Sequence, residues 1–365
     1  MKTILLIVFV WMSTNVLSQT DCLIGNLPNS NKISYDETQI EKILSPGSYK
    51  AIFYGECHTR DFEPEFKFHF IKHLNSRFGI RHIFMEIGYS AAYFYNAYLE
   101  TGDTSILTGY KLPYSQNNYR DFWYRLYRLN KTLPDSSKLI IHGVDFERTE
   151  ILKLLEKLKK KDAIIPAHLQ ETFAAINRLN KDSSLFTFDK NFEPELGRIR
   201  RSLLSDKNAL KTIYETDLEI VLTVLNNNTP LTSRVISRNK AWEKHINNAI
   251  SKEGIDRFVG FFGKSHVSYD QYSSPAVTVQ QNPLFKNHVL NITSMYHHFI
   301  SAGYMGDTPK IFDYAYDDEK NIYEKYVNRN CRATIISTAG ITENKLYKKA
   351  DFLLLAKDIV VDKPN

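Results

Sequence analysis

Cysteine is scarce in this chain of 365 residues, with only Cys22, Cys57 and Cys331. None stands in CxxC or zinc-knuckle spacing, which argues against a cysteine-based structural metal site. Cys22 with Cys331 is a conceivable disulfide, but spacing alone leaves the pairing open. Long apolar runs are also missing. The run Ile4 to Trp11 is too short to span a bilayer and is not repeated later, so no membrane span is expected. There is no internal repeat, no low-complexity stretch and no nucleic-acid motif. The net charge of +6 is spread thinly, and its densest run, Lys157 to Lys161, reads as a solvated helix end. No Gly-x-Ser-x-Gly elbow occurs, so a serine nucleophile has no support. Cys57 beside His58 invites a thiol nucleophile, yet adjacent residues leaving a strand diverge and no cysteine-enzyme signature surrounds them.

What is present is a core. Hydrophobic residues make up 43% and aromatics 13%, which suits a folded chain rather than a disordered one. Lys2, the apolar run after it and Val16-Leu17-Ser18 read as an export signal cleaved near Ser18. Gln19-Thr20-Asp21 before Cys22 lacks the small apolar residues of a lipid-attachment site. A secreted or periplasmic chain of roughly 345 residues is expected, enough for one large domain or two modest ones.

The first strand runs from Tyr49 to Gly55, followed by a helix from Phe62 to Phe78 with Phe66, Phe70, Leu74 and Phe78 as its stripe. A second strand, Arg81 to Ile87, leads into a helix from Ser90 to Glu100. An aromatic helix, Tyr114 to Asn130, precedes a third strand, Lys138 to Val144. This order predicts an α/β fold with a mostly parallel sheet flanked by helices. Residues 148–253 read as a helical insertion or cap, with amphipathic stretches at Ile151 to Leu158 and Leu196 to Leu225. It divides a core whose halves are residues 19–147 and 254–365. Further strands are expected at Arg257 to Phe262, His288 to Thr293, Arg332 to Ser337 and Phe352 to Leu355.

The strand ends carry the chemistry. They deliver Glu56-Cys57-His58, Glu86, Asp145 with Glu147, then Gly263-Lys264-Ser265-His266, and finally His297-His298. Ligands of open α/β sheets bind at the carboxyl ends of strands, so these residues are expected to share one crevice. Glu86 ends an almost wholly apolar strand, where an unpaired carboxylate is costly, and it therefore needs a partner. For Glu147 a helix cap is the favoured reading. Arg238 and His245 lie seven apart on one helix face with Trp242 between them. That face aims at an anionic intermediate, holds a carboxylate, or is an ordinary exposed face. His69 and His73 have metal-like spacing, but they flank Phe70 and Leu74 and are read as core.

Phe53-Tyr54-Gly55-Glu56-Cys57-His58 and Gly79-Ile80-Arg81-His82-Ile83-Phe84-Met85-Glu86 resemble the opening of the erythromycin esterase-like family. The resemblance continues through Ala91, Asn96, Tyr98, Leu99 and Gly102-Asp103. It then covers Gly143-Val144-Asp145, Arg238-Asn239-Lys240-Ala241-Trp242 and Phe262-Gly263-Lys264-Ser265-His266-Val267. It is colinear over residues 48–270. The start also resembles the wider superfamily of haem-uptake proteins and Tiki-type metalloproteases. Only Cys57 separates Glu56 from His58, where esterases typically have two residues, and this shorter form is closer to the haem-uptake branch. Trp242 replaces the usual methionine and Asn239 an acidic residue.

The resemblance implies a hydrolase without a cofactor, acting on a small molecule. His58 would be the general base for water, oriented by Glu56 or Glu86, with Arg238 or His266 stabilising the oxyanion. Asp145, His245 and Asn96 are the expected substrate contacts. The alternatives from the superfamily are a divalent metal held by Glu56, His58, Glu86 and His266, or haem.

Overall fold

A computed structural model describes residues 22–26, 33–44, 49–57, 62–109, 118–182, 192–227, 235–269, 274–301, 310–314, 317–327, 331–338 and 350–357. The expected export segment and His58 lie outside the described residues. Contacts along the chain separate two units, residues 47–291 and residues 1–46 with 292–365. The second opens with β1 (Cys22–Asn26), β2 (Ile33–Tyr35) and α1 (Glu37–Ile43).

The unit of residues 47–291 holds the strand ends of interest. It starts with β3 (Ala51–Glu56), α2 (Phe62–Phe78), β4 (His82–Met85) and α3 (Tyr89–Thr101). α4 (Thr104–Gly109), α5 (Asn118–Thr132) and β5 (Ile140–Gly143) follow. The described residues up to the next strand hold helices only: α6 (Glu150–Leu158), α7 (Gln170–Lys181), α8 (Phe192–Leu204), α9 (Lys207–Tyr214), α10 (Leu218–Leu225) and α11 (Val235–Glu253). β6 (Phe258–Gly263) and α12 (Pro275–Gln281) complete the set.

β3, β6, β4 and β5 lie side by side in that order, and every pairing is parallel. All residues of β3 and β6 are buried, as a strand covered on both faces requires. On one face Phe66 of α2 packs against Tyr54, and Phe70 meets Phe261. On the other, Trp242, Ile246 and Ile250 of α11 join Phe53, Phe84, Phe258 and Phe262. The expected stretch Leu196 to Leu225 is three helices rather than one. Asp206 caps α9 by accepting from the Ala209 N–H at 2.9 Å, and Glu215 turns the chain with a φ of 44°.

In the other unit, β7 (Val289–Ser301), which begins at the boundary, is followed by β8 (Lys310–Tyr314), α13 (Asp317–Tyr326), β9 (Cys331–Ser337) and β10 (Phe352–Lys357). β10 pairs parallel with β7 but antiparallel with β9; β1 pairs antiparallel with β2 and β9, and β8 antiparallel with β7. His297 and His298, expected to follow a strand end, do not. They lie inside β7, where His297 is in register with both Tyr314 and Lys357. Cys331 is disulfide-bonded and Cys57 is free. Among the described residues, no helix is long and apolar enough to cross a membrane.

Candidate functional site

Glu86 follows the last residue of β4, and Asp145 lies two residues beyond β5. The Asp145 N–H donates to the Ile87 carbonyl at 2.9 Å, which holds the two loops together. Gly143 makes this approach possible, because a Cβ there would sit 2.2 Å from the Gly88 carbonyl oxygen. Arg238, in the first turns of α11, reaches both loops. Its Nη2 donates to Glu86 Oε1 at 2.8 Å and to Asp145 Oδ2 at 2.7 Å, and its Nε to Asp145 Oδ1 at 3.3 Å. Trp242, one turn further along the same face, adds an Nε1–H bond of 2.9 Å to Asp145 Oδ1. Glu86 Oε2 accepts from the Gly263 N–H, at the end of β6, at 2.8 Å.

His266 completes the cluster from the short turn after β6. Its Nδ1 lies 2.7 Å from Asn239 Oδ1 and its Nε2 4.0 Å from Glu86 Oε1, and its ring packs 4.4 Å from Trp242. Glu86, Asp145, Asn239 and His266 are all buried. Burial raises the Asp145 carboxyl above its ordinary range, while the Arg238 guanidinium pulls it down. Each of these hydrogen bonds to Asp145 comes from a donor, as an ionised carboxylate requires. For Arg238, burial opposes the charge, but Asp145 and then Glu86 outweigh it and its pKa is raised. Of the three readings open for the Arg238 face, holding carboxylates is the one realised.

Glu56 does not join this cluster. Successive side chains of a strand point to opposite faces, and Glu56 shares the face of Tyr54, on the α2 side. There it forms a buried ion pair with Lys67, whose Nζ lies 3.3 Å from the Tyr119 hydroxyl. Beside it the Cys57 N–H donates to Glu63 Oε1 at 3.1 Å. Sequence reading missed Lys67. Its signal was available, since Glu63, Lys67, Phe70 and Leu74 share one helix face, and a lysine among core positions needs a carboxylate.

Three expectations change in place or role. Glu147 is a cap, but of α3 rather than of the helix after it: it accepts from the N–H groups of Tyr89 at 2.9 Å and Ser90 at 3.1 Å. Asn96, expected to contact substrate, instead clamps edge strand β5. Its Nδ2 donates to the Ile141 carbonyl and its Oδ1 accepts from the Ile141 N–H, both at 2.8 Å, which uses its amide on the backbone. His245, also expected at the substrate, lines a separate cleft of about 540 Å³ with Tyr89, Tyr93, His142 and Glu253. Burial lowers its imidazole pKa. His73 is core, as expected, whereas His69 bonds Glu65 at 2.9 Å at the partly exposed face.

The superfamily's metal ligands fit this arrangement poorly. Lys67 already neutralises Glu56, and Arg238 with the Gly263 N–H occupies Glu86, so a dication would lie beside the buried Lys67 ammonium and the half-buried Arg238 guanidinium. His58, the fourth candidate ligand, lies outside the described residues.

At the first residue of α6, burial pushes the Glu150 carboxyl up from an ordinary 4.5 to about 7, with Arg148 opposing. Between those values the unfolded chain releases a proton that the folded chain keeps, so stability falls as pH rises. The fall amounts to about 3 kcal/mol at most. Glu150→Gln is therefore expected to leave stability unchanged near pH 4 and to raise it by about that much at pH 8. Urea unfolding at the two pH values checks this, and an unaltered pH slope counts against it.

No family model matches the chain, and no curated protein does. Solved structures do. Erythromycin esterase EreC, a mutant in its open conformation, is 14% identical at a TM-score of 0.58, covering 90% of this chain and 97% of that one. A succinoglycan biosynthesis protein is 14% identical at 0.58, covering 88% and 90%. A protein from Bacillus cereus is 14% identical at 0.57, covering 89% and 98%. Identity at this level speaks for fold alone. The chain folds as erythromycin esterase does, with Glu86, Asp145, Arg238 and His266 gathered at the carboxyl ends of its own parallel strands.

Proposed function

We propose that the chain is an exported hydrolase in which a histidine activates water against an ester or related acyl bond of a small molecule. The observation that carries this reading is the setting of His266. Asn239 Oδ1 is an acceptor, so the proton of the neutral ring belongs on Nδ1, and Nε2 is then the basic nitrogen. Glu86, 4.0 Å from Nε2, stabilises the imidazolium once a proton is taken. Arg238 and Asp145 are positioning residues: Arg238 holds Glu86 in place and balances its charge, and Asp145 holds Arg238. His58 enters the proposal as a second histidine, by its place two residues after Glu56.

Export is supported by the apolar segment Ile4 to Trp11 and by the disulfide at Cys331, since disulfides persist in oxidising compartments. The test is a panel of aryl esters, alkyl esters, thioesters and lactones offered to the purified protein in ¹⁸O-labelled water. Turnover with label in the acid product, insensitive to chelator, is expected. Inactivity across the whole panel would sink the reading, and chelator-sensitive turnover would favour the metal-dependent alternative.

A further inference from the structure

His82, the first residue of β4, and His142, within edge strand β5, bring their rings together beside the last residue of α11, Glu253. His82 Nδ1 lies 2.9 Å from His142 Nε2, and His142 Nδ1 lies 3.7 Å from Glu253 Oε1. One ligand atom from each residue falls within 4.8 Å of the others. We propose that these three side chains form a binding site for a divalent transition ion of the zinc class, separate from the strand-end cluster. The separation follows from the helix: Arg238 and Glu253 are fifteen residues apart on α11, about 22 Å along its axis. No motif spacing announces the site, because its ligands come from three elements.

The donor chemistry suits such an ion. Two imidazoles and a carboxylate form an intermediate N/O set that zinc, nickel and copper accept. Ligand atoms bonded to zinc lie about 3.3 Å apart, as tetrahedral geometry at about 2.0–2.1 Å requires. The present spread therefore needs only a modest closure. Glu253 can supply it, being exposed at a helix end, whereas the histidines are held: the His142 ring stacks 4.7 Å from Phe84. Burial, the leading cause for each ring, lowers the pKa of His82 to about 4 and of His142 to about 3, so both rings are neutral, as ligands must be. His142 and Glu253 also line the cleft of about 540 Å³, which provides an entry path and room for a water or ligand oxygen to complete the shell.

The arrangement has one opposing group. Arg81 Nε donates to His82 Nε2 at 3.3 Å, and Arg81 Nη1 to the Ser136 carbonyl at 3.1 Å. For His82 Nδ1 to offer a lone pair, its proton must move to Nε2, so the Arg81 Nε contact must be released. Arg81 therefore weakens the site, and removing it should tighten binding.

Calorimetric titration of the metal-free purified protein with zinc chloride tests the proposal. One ion per chain is expected, with affinity reduced at least 10-fold in Glu253→Gln and in His142→Ala, and increased in Arg81→Met. His266→Gln, in the strand-end cluster, should bind as the parent does. Glu253→Gln alters an exposed side chain and keeps the test sound if His142→Ala folds poorly. Failure to bind zinc stoichiometrically overturns the proposal, and so does parental affinity in Glu253→Gln or several weak equivalent sites. The outcome does not depend on the ester assay.

Discussion

Arg238→Met is expected to destabilise the protein by about 3–5 kcal/mol, the range for stripping one partner from a buried ionic group. One guanidinium nitrogen bonds both Glu86 and Asp145, so its loss leaves two carboxylates facing each other out of water. Trp242 Nε1 still serves Asp145 and the Gly263 N–H still serves Glu86, but neither group carries a positive charge. Burial, which already pushes the Asp145 carboxyl up, then acts without the opposing guanidinium, so Asp145 holds its proton to higher pH in the folded state than in the unfolded. The deficit should accordingly be largest at neutral pH and shrink as pH falls through the range where Asp145 protonates. Asp145→Asn in the same background should recover part of the loss. Chemical unfolding at pH 4.5 and 7.5 measures both effects, and a pH-independent loss below about 1 kcal/mol would contradict the charge argument.

His266→Gln is expected to lower kcat by about 10²–10⁴-fold, the usual worth of a general base, on any substrate found by the ester panel. Gln has nearly the same reach and can keep a polar contact with Asn239, so the melting temperature should change little. Glu86→Gln should reduce kcat less and shift the acidic limb of the rate profile, because it acts through the imidazolium. Full activity in His266→Gln would transfer the role of base to His58, which His58→Ala tests directly. Full activity in both variants would end the histidine mechanism.

Much of the architecture could be read in advance. Unbroken apolar runs such as Ala51 to Tyr54 and Phe258 to Phe262 demand cover on both faces, and the alternation with helices demands parallel pairing. β1, β2 and β8 were not anticipated, since short strands leave little periodic signal. The two-residue alternation of a strand set a less obvious limit. From sequence, Glu56 and Glu86 are equivalent acidic strand ends. In space they face α2 and α11 respectively, and each finds its own cation.

By itself the sequence determined the α/β class, the strand ends that carry acid and histidine, and the need of Glu86 for a partner, because periodicity and the cost of burying charge are local properties. Tertiary structure decided which partners meet. It gave Arg238 to Glu86 and Asp145, gave Lys67 to Glu56, turned Asn96 to the backbone of β5, and set His82 against His142. Those choices depend on sheet order and helix placement over as many as 152 residues of separation, and no local pattern records them.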